Sequence, residues 1–220
     1  MSGGARPDVV VFDLDGTLLD SLPLVLAAIS HAVEPFGERP TMEIFARLGG
    51  PPERFLLPMV AHADNLPVAL ARLESFHRDN AHLIQPYAGV RELLETVQIA
   101  GVRTAIWTGR DRRSAERLLH SHRLAAYFTT VVCGDDLSSH KPDPAGLREI
   151  LRRVEVSAER ALFVGDADVD VLGGSECGVD TLLIRHARQV EKHIAARSWR
   201  TVVSPADAFD VVLQRVHART

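Results

Sequence analysis

Hydrophobic and polar positions divide the chain into three regimes. Val9 to Phe12 is a run of four apolar, mostly β-branched residues without polar alternation, the pattern of a strand buried on both faces. From Leu22 to about Gln85 the apolar positions recur at three- and four-residue intervals, in Val25, Ala28, Ile29, Ala32 and Val33 and again in Leu66, Ala69, Leu70, Leu73 and Phe76. That spacing predicts helices, and Pro35 to Pro40, Gly49 to Pro52 and Asp64 to Pro67 punctuate the block into about four of them, with no strand. Beyond Pro86 the pattern alternates. Strands are expected at Val102–Trp107, Thr130–Cys133, Ala161–Val164, Thr181–Ile184 and Thr201–Val203. Between them helices are expected over Val90–Ile99, from Asp111 to His120, from Asp143-Pro144 to Arg153, over Val169–Cys177, and from Ser204-Pro205 to Val216.

Strands alternating with helices imply an α/β fold, a doubly wound parallel sheet covered on both faces. The helical block then reads as an insert. Residues 1–21 and 86–220 are expected to form the α/β core, and 22–85 a separate helical domain. Right-handed crossovers place the strand C-termini along one edge, where ligands of such sheets bind.

Composition narrows the partners. With 46% hydrophobic residues in 220, the chain has enough apolar material for a packed interior. A net charge of −4 without a long basic run argues against a nucleic-acid surface and leaves small molecules as the expected partners, for a monomer or homodimer. Met1 to Pro7 lacks the apolar core of a signal peptide and no run approaches a membrane span, so the expected location is cytoplasmic. Cys133 and Cys177 are far apart and lack metal-type spacing, and are read as reduced thiols.

The candidate chemistry sits at the strand ends. The first strand runs into Asp13-Leu14-Asp15-Gly16-Thr17-Leu18-Leu19-Asp20-Ser21. Residues two apart in an extended chain share a face, so Asp13 and Asp15 can converge on one ligand, and their mutual repulsion favours a bound cation or protonation of one of them. Thr108-Gly109-Arg110 follows the next strand: a hydroxyl, a glycine that lets backbone approach an anion, and a cation. Lys141 lies in a proline-bracketed loop and is one of two lysines in a chain with 23 arginines, which points to a need for a compact ammonium. Its neighbour His140 is read as structural. Asp166, Asp168 and Asp170 follow the strand at Ala161–Val164, an oxygen-rich group suited to a hard cation. Asp166 is nearest the strand and the direct ligand candidate, Asp170 acts through a water or another ligand, and Asp168 caps the helix.

These four sites, in this order, resemble the four motifs of the haloacid dehalogenase-like superfamily: Asp13 and Asp15 the first, Thr108 the second, Lys141 the third, Gly165-Asp166 with Asp170 the fourth. The insert resembles the four-helix cap of the phosphoglycolate phosphatase-like branch. The resemblance implies a sheet with the first-motif strand at its centre, and a Mg²⁺-dependent phosphatase acting on a small phosphorylated metabolite, phosphoglycolate-like or a sugar phosphate. Asp13 would be the nucleophile that forms an aspartyl-phosphate, and Asp15 the acid and base. Mg²⁺ would be held by Asp13, Asp166, the main-chain oxygen of Asp15 and Asp170 nearby, with Thr108, Gly109, Arg110 and Lys141 on the phosphoryl oxygens. Gly49-Gly50-Pro51-Pro52 resembles the cap loop that reaches the active site, making Arg47 and Arg54 candidates for a second anionic group. Dehalogenation is not expected, because dehalogenases lack the carboxylate that Asp15 provides. Ala167 stands where many relatives have Ser. The alternatives are a phosphomutase of the β-phosphoglucomutase type, disfavoured because Val25 stands where those relatives carry a cap histidine, and a catalytically silent binding protein.

Overall fold

The computed structural model describes residues 5–37, 40, 52–186 and 189–218. Six strands run parallel in one sheet: β1 (Val9–Phe12), β4 (Arg103–Trp107), β5 (Thr130–Val132), β6 (Ala161–Gly165), β7 (Asp180–Ile184) and β8 (Arg200–Val202). Their order is β5-β4-β1-β6-β7-β8, so β1 lies between β4 and β6. Phe12 is in register with Ile106 on one side and Val164 on the other. The chain therefore leaves β1, β4 and β6 along one edge, at Asp13, Thr108 and Asp166.

All four residues of β1 are fully buried, which accounts for the lack of alternation. Val10 and Phe12 face a core shared with α4 (Val90–Ile99), α5 (Arg112–Ser121) and α9 (Pro205–His217). Val9 and Val11 face the opposite core, filled by Leu147 and Ile150 of α6 (Ala145–Val154) together with Trp107 and Phe163. Val171 of α7 (Asp168–Cys177) and Ile194 of α8 (Lys192–Ala195) cover Leu183. Burying a side chain of the Val or Phe kind is worth about 1.5–3 kcal/mol, so β1 is a principal anchor of both faces. Two capping signals hold: Asp111 accepts from the Ser114 N–H at 2.9 Å, and Ser204 and Asp207 cap α9 reciprocally. The third does not, because α6 begins at Ala145 with Pro144 itself at the N-cap, so Asp143, which accepts from the Ala145 N–H at 2.9 Å, lies one residue before the cap.

Two helix glycines form the seat of Trp107. A Cβ on Gly146 would lie 2.3 Å from Nε1 of Trp107, and one on Gly173 would lie 2.6 Å from its far ring edge. The indole is thus slotted between α6 and α7, in a space that only residues without a side chain permit.

The inserted segment contributes α1 (Leu22–Val33), α2 (Pro52–Leu56) and α3 (Leu66–Asn80). Ala28, Ile29, Ala32 and Val33 pack with Leu56, Val60, Ala69 and Leu73 in a cluster of their own. Among the described residues it supplies no strand to the six-stranded sheet. The expected turn at Gly49 to Pro52 and its flanking helix fall largely on residues 41–51, outside the described residues. Where the chain enters and leaves the segment, β2 (Leu19–Asp20) and β3 (Gln85–Pro86) form a short antiparallel ribbon, too brief to leave a periodic signal in sequence. No helix among the described residues is long and apolar enough to cross a membrane.

Candidate active site

The end of β1 places Asp13, which is 7% exposed, where its backbone N–H still donates to the Val164 carbonyl of β6 at 2.8 Å. The backbone then turns away at Gly16, whose φ is +73° and whose Cβ, if it had one, would meet Asp166 Oδ2 at 2.4 Å. Glycine is required there on both counts. Asp166 follows β6, and Asp170 lies in the first turn of α7, with carboxylate oxygens of Asp13, Asp166 and Asp170 all within 4.8 Å of one another. Thr108 is buried at the end of β4, and its hydroxyl accepts from the Arg110 N–H at 3.2 Å. Lys141 reaches in from its loop to donate to Asp13 Oδ1 at 2.6 Å and Asp170 Oδ1 at 2.7 Å. Its ammonium stands 4.8 Å from the Trp107 ring centre and 5.3 Å from that of Phe163.

Burial raises the Asp13 carboxyl to about 7; Lys141 pulls it down, and Asp170 and Asp15 push it up. Burial raises Asp166 far above the usual carboxylate range, with Asp13 and Asp170 adding to the effect. Lys141 shows the converse balance: burial disfavours its charge, but Asp13 and Asp170 hold it at about 12. Three buried carboxylates against one ammonium leave an excess of negative charge, which in a low-dielectric site demands protons or a further cation. The donor set is all oxygen, which fits a hard divalent ion. Asp170 engages both its oxygens, one on Lys141 and the other on the N–H groups of Asp166 and Ala167 at 3.1 and 3.0 Å. Asp170, rather than Asp168, thereby caps the start of α7.

Asp15 has a different environment. The Arg110 guanidinium straddles it, Nε to Oδ2 at 2.6 Å and Nη2 to Oδ1 at 2.5 Å, and the Ser21 hydroxyl donates to Oδ1 at 2.5 Å. Burial alone would raise its pKa, but Arg110 and Ser21 outweigh that and hold it below the usual range. Asp15 is an ionised carboxylate in this arrangement. Arg110 is therefore committed to Asp15 rather than presented to a phosphate.

A cavity of about 370 Å³ opens above these groups, with Asp13, Asp15, Lys141 and Asp166 below and Val25, Phe55 and His77 of the helical segment above. Gly109 lies on its wall. Arg54 is exposed on α2 and is not among the residues that line it, and Arg47 lies outside the described residues. Residues 10–184 match the family model described as haloacid dehalogenase-like hydrolase.

The chain belongs to the haloacid dehalogenase-like hydrolase family. It is an enzyme, a phosphatase of that family. It is 34% identical over 207 residues to phosphoglycolate phosphatase 1 of Pseudomonas aeruginosa, covering 90% of this chain and 76% of that one. It is 28% identical to the phosphorylated carbohydrates phosphatase of Thermotoga maritima, covering 93% and 98%. A crystal structure of a putative haloacid dehalogenase-like hydrolase from Bacteroides fragilis superposes with a TM-score of 0.80 at 22% identity, covering 92% and 100%, and so shares the fold.

Several residues of this hydrolase's site are not evident from sequence. Thr17 Oγ1 donates to Asp166 Oδ1 at 3.4 Å. His186, just past β7, places Nε2 2.8 Å from the Gly16 carbonyl and 3.9 Å from Asp166 Oδ2. His140 lines the cavity beside Lys141. His77 does leave a signal: it stands four residues after Leu73, a polar residue on the buried stripe of α3.

Proposed function

We propose that this phosphatase is Mg²⁺-dependent and hydrolyses a small phosphorylated metabolite, phosphoglycolate-like or a sugar phosphate, through an aspartyl-phosphate on Asp13. The observation that carries the reading is the buried cluster of Asp13, Asp166 and Asp170, with Lys141 paired to Asp13 and Asp170, open to a cavity large enough for a phosphate ester. A carboxylate oxygen of Asp13 attacks phosphorus in line, the bond from phosphorus to the ester oxygen breaks, and that oxygen leaves with a proton. Water then attacks the aspartyl-phosphate, releasing phosphate and restoring the carboxylate. Lys141 and the Thr108 hydroxyl bind the transferring oxygens. Asp15 supplies the proton and later removes one from water, and for the first of these tasks it must exchange its Arg110 contacts for a proton.

Asp13 and Asp166, with Asp170 beside them and the main-chain oxygen of Asp15, are the groups that would hold Mg²⁺. When bound, the ion neutralises charge between the anionic nucleophile and the anionic ester. Residues 22–85 act as the cap that meets the leaving group. The hydrolase reading is preferred to the mutase reading because Val25, where a mutase histidine would stand, gives the cavity an apolar wall.

The test is an assay of esters with and without divalent metal. Chelation should abolish phosphate release and Mg²⁺ should restore it, and a hexose 1-phosphate should yield free phosphate rather than the 6-phosphate. Full activity in excess chelator would remove the metal assignment, and efficient isomerisation with little phosphate would promote the mutase.

A further inference from the structure

The Arg110 guanidinium engages Asp15 through two nitrogens, Nε on Oδ2 at 2.6 Å and Nη2 on Oδ1 at 2.5 Å. Its third nitrogen is also committed: Nη1 donates to the Ser114 hydroxyl, in the first turn of α5, at 3.1 Å. The guanidinium plane is thereby fixed from two sides, the geometry in which an arginine fork imposes direction as well as charge. Ser21 supplies the remaining contact. It is the N-cap residue of α1, a position where serine ordinarily bonds a first-turn N–H, yet its hydroxyl makes no capping bond and donates to Asp15 Oδ1 at 2.5 Å.

A carboxylate has about four acceptor positions, two on each oxygen. On Oδ1 both are filled, by Arg110 Nη2 and the Ser21 hydroxyl, and on Oδ2 Arg110 Nε fills one. Among the described contacts a single acceptor position is left, on Oδ2. The Asp15 side chain keeps 24% of its surface and lines the same cavity as Asp13, so a water can reach it. A leaving alcohol needs a proton donor, whereas an attacking water needs an acceptor. The clamp as found offers an acceptor only, which suits the second displacement of the proposed cycle.

We infer that Arg110 is a positioning residue for the second displacement: it aims Asp15 Oδ2 at the attacking water, and Oδ2 is the atom that receives the water proton, an assignment that rests on the phosphatase reading of the same site. In that step the water oxygen bonds to phosphorus, the bond from phosphorus to the Asp13 oxygen breaks with its electron pair returning to the carboxylate, and one water proton passes to Oδ2. Arg110 keeps its own protons and meets no reacting atom.

The experiment follows the aspartyl-phosphate itself. With p-nitrophenyl phosphate and Mg²⁺, stopped flow gives the rate at which it forms and rapid quench the rate at which it decays, in the native enzyme, Arg110→Gln and Arg110→Lys. The aryl leaving group departs without a proton, so formation and KM should change by less than about threefold in Arg110→Gln, whereas decay should slow by about 10²-fold, the scale of a misplaced catalytic group. Arg110→Lys, which restores the charge but not the fork, should recover part of the decay rate. Arg110→Met, which keeps the apolar stem, is read in the same way if the glutamine variant folds poorly. Decay within about threefold of native in a folded Gln or Met variant overturns this inference alone. A parallel loss of formation and decay does so too, because it makes Arg110 a strut of the site or a ligand of the phosphate. Absence of phosphate release from the native enzyme overturns the phosphatase reading and this inference with it.

Discussion

Asp13→Asn should reduce phosphate release by about 10⁴-fold or more, while the folded protein remains at least as stable as the native one in the absence of divalent metal. The substitution replaces the carboxylate oxygen proposed as the nucleophile at the end of β1 and alters side-chain volume hardly at all. The direction of the stability change follows from the charge balance. Asp13 is buried beside Asp166 and Asp170, and its carboxyl is raised to about 7, so its ionised form is disfavoured in the metal-free fold. A neutral amide relieves that repulsion, although it gives up the charge that Lys141 now meets at 2.6 Å. Rapid acid quench followed by mass spectrometry should find a phosphoryl adduct on Asp13 in the native enzyme and none in the variant. Turnover within a factor of ten of native would remove Asp13 from the role of nucleophile.

Lys141→Met should damage both properties. Methionine keeps the unbranched apolar stem but withdraws the ammonium that Asp13 and Asp170 share. Breaking a buried ion pair by deleting one partner costs about 3–5 kcal/mol, because the remaining charges stay buried without compensation. Activity should fall by about 10²–10³-fold through loss of a preorganised positive group at the transferring oxygens. Denaturant titration of metal-free protein gives the first quantity. Adding Mg²⁺ should recover part of the stability and little of the rate. A variant as stable as native without metal would show that the carboxylates are neutralised by some means other than Lys141.

Much of this architecture can be read from local pattern. Val9 to Phe12 announces a doubly buried strand because both of its faces are covered, and the acids and cations at strand ends are visible because strand boundaries are sharp. The helical periodicity between Leu22 and Gln85 is legible because Ala28, Ile29, Ala32, Val33, Ala69 and Leu73 bury their apolar stripes in a cluster of their own. Pairings across the fold are less accessible. Arg110 follows a Thr-Gly turn as an anion-binding residue would, yet its partner is Asp15, 95 residues away and brought near by the adjacency of β1 and β4. Thr17 reaches Asp166 because Gly16 turns the chain under that carboxylate, and His186 arrives from the end of β7, the strand beside β6. His77 sits on a buried helix stripe, where a histidine more often fills a core; only its place on the cavity wall separates the two meanings.

The slot between Gly146 and Gly173 makes the site optically legible. The chain has two tryptophans, and Trp199 lies beneath the Arg215 guanidinium at 4.3 Å, so Trp107 is the one that sees Lys141. Its ring is gripped on two sides, which leaves the electric field above it as the main variable in its surroundings. That field originates in an ammonium tethered to Asp13 and Asp170. Any event that redistributes charge among those carboxylates, whether arrival of a cation or the proposed phosphorylation of Asp13, should shift the emission of an indole already in place, so the proposed cycle would carry a fluorescence signature without an added dye.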